Sequence, residues 1–195
     1  MALEGYWVEN SPYTQQIQKF LKTWHYSEYT YIQHKETFTM WREGVWSFPE
    51  LVGVCVYTRP AGANSAAKYY PDEPDKCLEL RRLCLIDDTP KNAESYFIAR
   101  TIKWLKKHTD WRFIVSYADP EQGHSGIIYK ASNFKYEGIT GEGSSLSVDG
   151  VPFHIRTLTM LDREYGREIN RRYKAGDEGI HIIKTKPKHI FTYKL

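Results

Sequence analysis

The chain has 195 residues, with 27 Lys and Arg against 24 Asp and Glu for a net charge of +3, a length that suits one domain with a buried core. No apolar run approaches the ~20 residues that a membrane-crossing helix needs, and MALEGYWVEN lacks the basic-then-apolar order of a signal peptide, so no membrane partner is expected. Cys55, Cys77 and Cys84 have no C-x-x-C spacing, which argues against a cysteine-built zinc site and suits buried reduced thiols.

Ile17 to Trp24 (IQKFLKTW) places apolar residues at 17, 20, 21 and 24, the spacing of a helix. It runs into His25-Tyr26-Ser27 without a glycine stop. His25 suits the helix C-terminus, where the dipole favours a cation. Phe38 to Tyr57 reads as a β-hairpin, with Gly53 marking a bulge or a close approach. Arg59 to Asp75, with three prolines, reads as a long surface loop.

Cys77 to Ile86 (CLELRRLCLI) is the next strand. Strict alternation places Arg82 with Leu78, Leu80, Cys84 and Ile86, a charge on a buried face. Such an arginine needs either a carboxylate or an anion to face. Thr89 and Pro90 suit the N-cap and first turn of a helix over Lys91–His108, with Phe97, Ile98, Thr101, Ile102 and Leu105 as its buried stripe.

Phe113-Ile114-Val115 is a buried strand that delivers Ser116, Tyr117, Ala118 and Asp119 to its end, where Pro120 stops the ladder. Glu121 to Ser132 reads as a short helix, Asn133 as its left-handed stop, and Phe134-Lys135-Tyr136 as extended chain. Leu146-Ser147-Val148 and Val151–Met160 form a hairpin about Asp149-Gly150. Leu161 to Lys174 is a charged helix with Arg163, Arg167, Arg171 and Lys174 down one side, a pattern of either a solvated face or phosphate tracking. From Leu161 to the end there are nine Lys/Arg against five Asp/Glu, more positive than the whole chain. The aromatic share of 15% is high, and aromatics among basic residues suit base stacking as well as an ordinary core.

The order strand, Tyr129 in a helix, then Asn133-Phe134 resembles the GNAT acyltransferase superfamily. The wording VSYAD…GHSGIIYKASNFKYEG, with LRRLCLIDDTPKNAES before it, is more similar still to the Mom family of phage DNA-modification proteins, a divergent GNAT branch. The helix ending in His25-Tyr26-Ser27 and the basic-aromatic ending KPKHIFTYKL resemble that family too. The resemblance implies an α/β (α+β) fold: one GNAT-like domain over 1–195, a strongly twisted central mixed sheet flanked by helices, with a basic C-terminal helix and strand extension. It implies transfer of a small acyl-derived, carbamoylmethyl-type group to the exocyclic amine of adenine in double-stranded DNA, protecting it from restriction, in the cytoplasm of an infected or lysogenic bacterium. An acyltransferase for a hypermodified pyrimidine or a small amine, and a non-enzymatic DNA-binding protein, are the alternatives.

On this reading His25, Tyr26, Ser116, Asp119 and Tyr129 are the catalytic candidates, with Glu28 as a further base. Tyr69, Tyr70 and Tyr117 are further stacking surfaces, and His124 is structural. Lys91, Asn92, Ser95 and Arg82 would hold an anionic donor. Acyl-coenzyme A is the family's usual donor, but its glycine-rich phosphate loop is missing: no glycine occurs from Leu78 through Gln122. The resemblance also raises iron, held by His25, Tyr26 and Asp119. Arg163, Arg167, Arg171, Lys174 and Lys188 are the DNA-binding set. A homodimer is one option for the assembly.

Overall fold

The computed structural model describes residues 3–25, 32–44, 46, 48–61 and 63–195. The chain forms two compact units: 1–118 with 124–138 and 189–195, and 119–123 with 139–188.

The first unit holds a mixed sheet with helices on its faces. Its strands are β1 (Tyr6–Asn10), β2 (His34–Glu43), β3 (Pro49–Thr58), β4 (Cys77–Leu85), β5 (Phe113–Ala118), β6 (Lys135–Ile139) and, from the C-terminus, β10 (His189–Lys194). The order across the sheet is β1-β2-β3-β4-β5-β10-β6. Among the pairings whose register is given, β4 with β5 is parallel and the others are antiparallel. The helix joining this parallel pair is α3 (Ala93–His108), as a crossover requires.

Helix α1 (Gln15–Trp24) follows the apolar period, with Ile17, Phe20 and Leu21 buried and Thr14 capping its start. At ten residues it is shorter than the ~12–15 that survive alone in water, so burial of these three side chains, roughly 1.5–3 kcal/mol each, holds it. The expected stripe of α3 is buried in full. The hairpin β2–β3 is as read, and Gly53 serves both expected purposes: the register shifts beside it, and Leu85 and Phe97 close over it. All three cysteines are free and buried. Burial pushes the Cys77 and Cys84 thiols up to about 12.

Four local readings change. Residues 59–75 are not all loop: Ala63–Tyr69 forms α2, because the Ala-rich segment between Pro60 and Pro71 is a good helix former and Ala66 packs on Cys77, Val115 and Ile190. α3 begins after Asn92 rather than at Pro90, with Thr89 Oγ1 instead donating to Ile86 O. The helix expected over 121–132 is a 3-10 turn at Pro120–Gln122 and a short α4 (Ile127–Ala131). Gly123 and Gly126, at φ +73° and +74°, interrupt it, while Asn133 is left-handed as expected. The strand expected over 151–160 ends at His154, whose ring accepts the Arg156 amide and turns the chain into a 3-10 helix.

Gly126 is the tightest of these turns. A Cβ there overlaps the ring of Phe191, which is fully buried, in a backbone region that side chains avoid. Gly126→Ala is therefore expected to destabilise the protein by at least about 2 kcal/mol, read by denaturant unfolding. Gly123→Ala, with nothing near its Cβ, should cost only about 1 kcal/mol for the backbone.

The second unit is a three-stranded sheet of order β8-β7-β9, made of β7 (Gly143–Val148), β8 (Val151–His154) and β9 (Ile180–Thr185). α5 (Glu164–Lys174) contributes Ile169 to its core with Leu146, Val148 and Ile180. Asp149 and Gly150 turn β7 into β8 with both φ positive, as a two-residue hairpin turn demands. Arg172 braces this unit, reaching Asp149 with two hydrogen bonds of 2.9 Å and Asp177 with one of 2.8 Å. Its hydrogen bonds, and then its charge, hold both carboxyls below the usual carboxylate range.

Candidate active-site cleft

β4 and β5 stay paired from Cys77↔Phe113 to Leu80↔Ser116. At the last pair, the buried Ser116 Oγ donates to Leu80 O at 3.1 Å. Beyond it β4 continues to Leu85 against β3 while β5 ends at Ala118, so the strands part. Open α/β sheets place ligand sites where strands diverge in this way. In the first unit a cleft of about 610 Å³ is lined by the end of α1 (Trp24, His25), Leu83–Asp87, the approach and first turn of α3, His124 and the outer side of α4.

The start of α3 is laid open toward an anion. Asn92 adopts φ +70° with no side-chain cap, so the amides of Glu94 and Ser95 open the helix without a capping oxygen. Ser95 Oγ donates to Asn92 O at 3.0 Å. Lys91, Asn92 and Ser95 line the cleft together, along with the acidic Asp87 and Glu94. They also line a second cavity of about 760 Å³ along α3, which adds Arg100 and Lys103.

Arg82 lies elsewhere. β4 carries one extra residue, Arg81, between the pairs Tyr57↔Leu80 and Val56↔Arg82. The bulge shifts the alternation, so Leu80, Leu83 and Leu85 share the face toward Tyr57, and Arg82 turns to the other. It is half-buried, donates to Arg81 O at 3.0 Å and stands by Tyr13. The buried charge on this strand is Glu79, 4% exposed, which accepts from Arg81 Nη1 at 2.6 Å and from the Ala61 amide at 3.0 Å. Arg81→Met strands that carboxylate. A loss of about 1–3 kcal/mol is expected in chemical denaturation, below the ~3–5 of a fully buried pair because Arg81 is 39% exposed. Arg82→Met should lose less than Arg81→Met.

The other candidates divide. His25 is the C-cap of α1, its backbone N–H donating to Leu21 O, and its half-buried side chain lines the cleft. His124, read as structural, lines it too. Tyr26 and Glu28 lie outside the described residues. Ser116 is fully buried at the strand fork. Tyr129 is 7% exposed and packs against Phe134 and Phe191 at ring distances of 5.5 and 5.2 Å. Asp119 belongs to the second unit: Oδ1 accepts the Glu121 amide at 3.0 Å as the cap of the 3-10 turn, and Oδ2 pairs with Lys188 Nζ at 2.7 Å. Both oxygens and the Lys188 ammonium are thus engaged. No group of three His, Cys, Asp or Glu side chains suited to a metal occurs among the described residues. Tyr70 stacks on Phe113 at 3.8 Å and Tyr117 packs beside it, both over the second core cluster.

Sequence reasoning passes over Trp24, whose spacing fits the buried stripe of α1. It is 49% exposed and lines the cleft. The available signal is its place at the helix end, next to His25. In the second unit Arg163, Arg167, Arg171 and Lys174 are all exposed. Arg171 pairs with Glu168, and Arg167 donates to Leu161 O at 3.1 Å.

Residues 8–195 match the family described as the Mom protein family. The methylcarbamoylase mom of Escherichia phage Mu is 32% identical over 151 residues, covering 75% of this chain and 57% of that protein. This chain therefore spans somewhat over half the length of that relative. A Bacillus subtilis acetyltransferase in complex with CoA superposes with a TM-score of 0.54 at 15% identity, over 97% of this chain and 99% of that one. A GNAT family acetyltransferase from Elizabethkingia anophelis with acetyl-CoA bound gives 0.54 at 11% identity, over 99% and 100%. At these identities the likeness shows the fold: a GNAT-like α/β architecture.

Proposed function

This chain belongs to the Mom protein family, and we propose that it transfers a small acyl-derived group, of the carbamoylmethyl type, to the exocyclic amine of adenine in DNA. The cleft at the parting of β4 and β5 carries the reading, because it joins an anion-receptive helix start to the imidazole of His25 in one cavity. The relative's printed description as a methylcarbamoylase supports the type of group. In a phage-infected bacterium such a mark would shield the DNA from restriction.

A phosphate-bearing donor of the coenzyme A class fits the start of α3, provided that it carries the carbamoylmethyl-type group itself, because transfer of a plain acetyl group would leave an N-acetyl amide on adenine. Glycine is missing there, yet Asn92 takes the left-handed backbone that glycine would otherwise provide, and Lys91 stands beside the open amides. Lys91, Asn92 and Ser95 would hold the phosphates, and the bound donor would supply the carbon electrophile. The amine of adenine is a poor nucleophile because its lone pair is delocalised into the ring. His25 would take the amine proton as the new C–N bond forms, while the bond between the transferred carbon and the donor breaks and the remainder of the donor leaves with that electron pair. Leu83, Leu85 and Ile128 give the cleft apolar walls. Since the amine is shielded inside a duplex, the target base must first leave the stack.

Mass spectrometry of nucleosides from the DNA of cells expressing this chain tests the proposal. A mass increment on deoxyadenosine is expected. An increment on a pyrimidine instead, or none on any nucleoside, overturns it.

A further inference from the structure

Trp24 is the last residue of α1, and it breaks the pattern of that helix. Ile17, Phe20 and Leu21 are all buried, whereas Trp24, at the next position of the same stripe, leaves half its surface open and lines the cleft. An indole bared inside a concave site, rather than scattered on a convex surface, is positioned for a ligand. The next residue, His25, lines the same cleft, so whatever lies on the indole shares that cavity with the imidazole. The cleft also contains Ile127, 70% exposed on α4, a second bare apolar side chain with no core of its own.

The occupant follows from the chemistry of the cleft. Its anion-receptive end is the start of α3, where Lys91 and the open amides suit phosphate. Its other protein elements offer a flat π-face, aliphatic walls and an imidazole. A base turned out of a duplex loses the stacking of both its neighbours, and an enzyme that extrudes a base must restore part of that loss. Indole faces do so for any base, and most strongly for the larger purines. Resting on the function proposed above, we propose that Trp24 is the stacking platform for the extruded adenine, holding the ring so that its exocyclic amine meets His25. Adenine is then selected partly by its area, and a pyrimidine on the same indole gains less.

Three variants test this: Trp24→Ala removes the platform, Trp24→Leu keeps apolar bulk without a π-face, and Trp24→Phe keeps a smaller π-face. Stacking a base on an aromatic side chain is worth about 1–3 kcal/mol, or roughly 5- to 150-fold. The modified fraction of deoxyadenosine in expressing cells should therefore fall at least about fivefold in both Trp24→Ala and Trp24→Leu. It should recover toward wild type in Trp24→Phe. The second readout needs no donor. A single-stranded oligonucleotide carrying 2-aminopurine should be quenched on binding the wild-type protein, through contact with the indole. Trp24→Leu should still bind it, with the quenching abolished. If Trp24→Leu modifies DNA and quenches like wild type, the platform is overturned, since a role in packing alone would survive that change. If the wild-type chain modifies no deoxyadenosine yet quenches through Trp24, the function proposed above fails while the base-stacking site stands.

Discussion

Replacing His25 with Gln is expected to reduce DNA modification by about 10²- to 10⁴-fold, the span of general-base catalysis by a positioned side chain. The folded state should scarcely change. His25 ends α1 through its backbone, whose N–H donates to Leu21 O at 3.0 Å, and Gln makes the same bond. Only the side chain differs. A neutral imidazole, the form a general base needs, brings no full charge to the helix C-terminus. The dipole contribution lost with it is therefore below the roughly 2 kcal/mol that a cation gives at a partly buried helix end. The proton acceptor, by contrast, disappears. Nucleoside mass spectrometry with a melting curve on the same preparation separates the two contributions. Retained modification at unchanged stability removes His25 from the chemistry and passes the role of base to His124, the other imidazole lining the cleft. Asp119→Asn is a useful contrast. The amide oxygen still caps the 3-10 turn, and only the ion pair with Lys188 is broken.

How legible the molecule is from its sequence depends on the scale of the signal. α3 spans more than four turns, so its apolar period repeats often enough to fix the buried stripe residue by residue. β5 is also plain, because Phe113-Ile114-Val115 is apolar throughout and Pro120 limits it. The long match in VSYAD…GHSGIIYKASNF carries family and fold together. What the sequence hides are features set by one residue or by distant partners. A single extra residue in β4 turns Arg82 off the face that strict alternation assigns to it, and no alternation rule reveals a bulge. Gly123 and Gly126 break the helix expected over 121–132 by their left-handed backbone, and at Gly126 a distant residue adds to this, because Phe191, from the far end of the chain, occupies the space beside it. Ser116 illustrates the limit for sites. A hydroxyl at a strand end reads as chemistry until the parallel partner shows that Leu80 O accepts from it.

The basic face of α5 makes the other large prediction. Arg167, Arg171 and Lys174 all point to solvent, while Arg172, one position off the stripe, is half-buried and tied to Asp149 and Asp177. Arg172 thus braces the unit, while the outer set, held only by the exposed Arg171–Glu168 pair and the Arg167 bond to Leu161 O, is the set proposed to meet a polyanion. Converting Arg167, Arg171 and Lys174 to Glu together should flatten the dependence of log affinity on log salt by about 2.7, at ~0.9 for each phosphate no longer neutralised. Near physiological salt that corresponds to a drop of at least about 100-fold in duplex affinity. Stability should hold, because the exposed pair of Arg171 with Glu168 is worth about 1 kcal/mol or less. Arg172→Gln should do the reverse, lowering the melting temperature and leaving the salt slope in place. If the triple variant binds duplex DNA with an unchanged slope, the stripe is a solvated face and the DNA rests on another surface. If Arg172→Gln flattens the slope while melting normally, the division of roles along α5 is wrong, and the brace itself is what meets the phosphate.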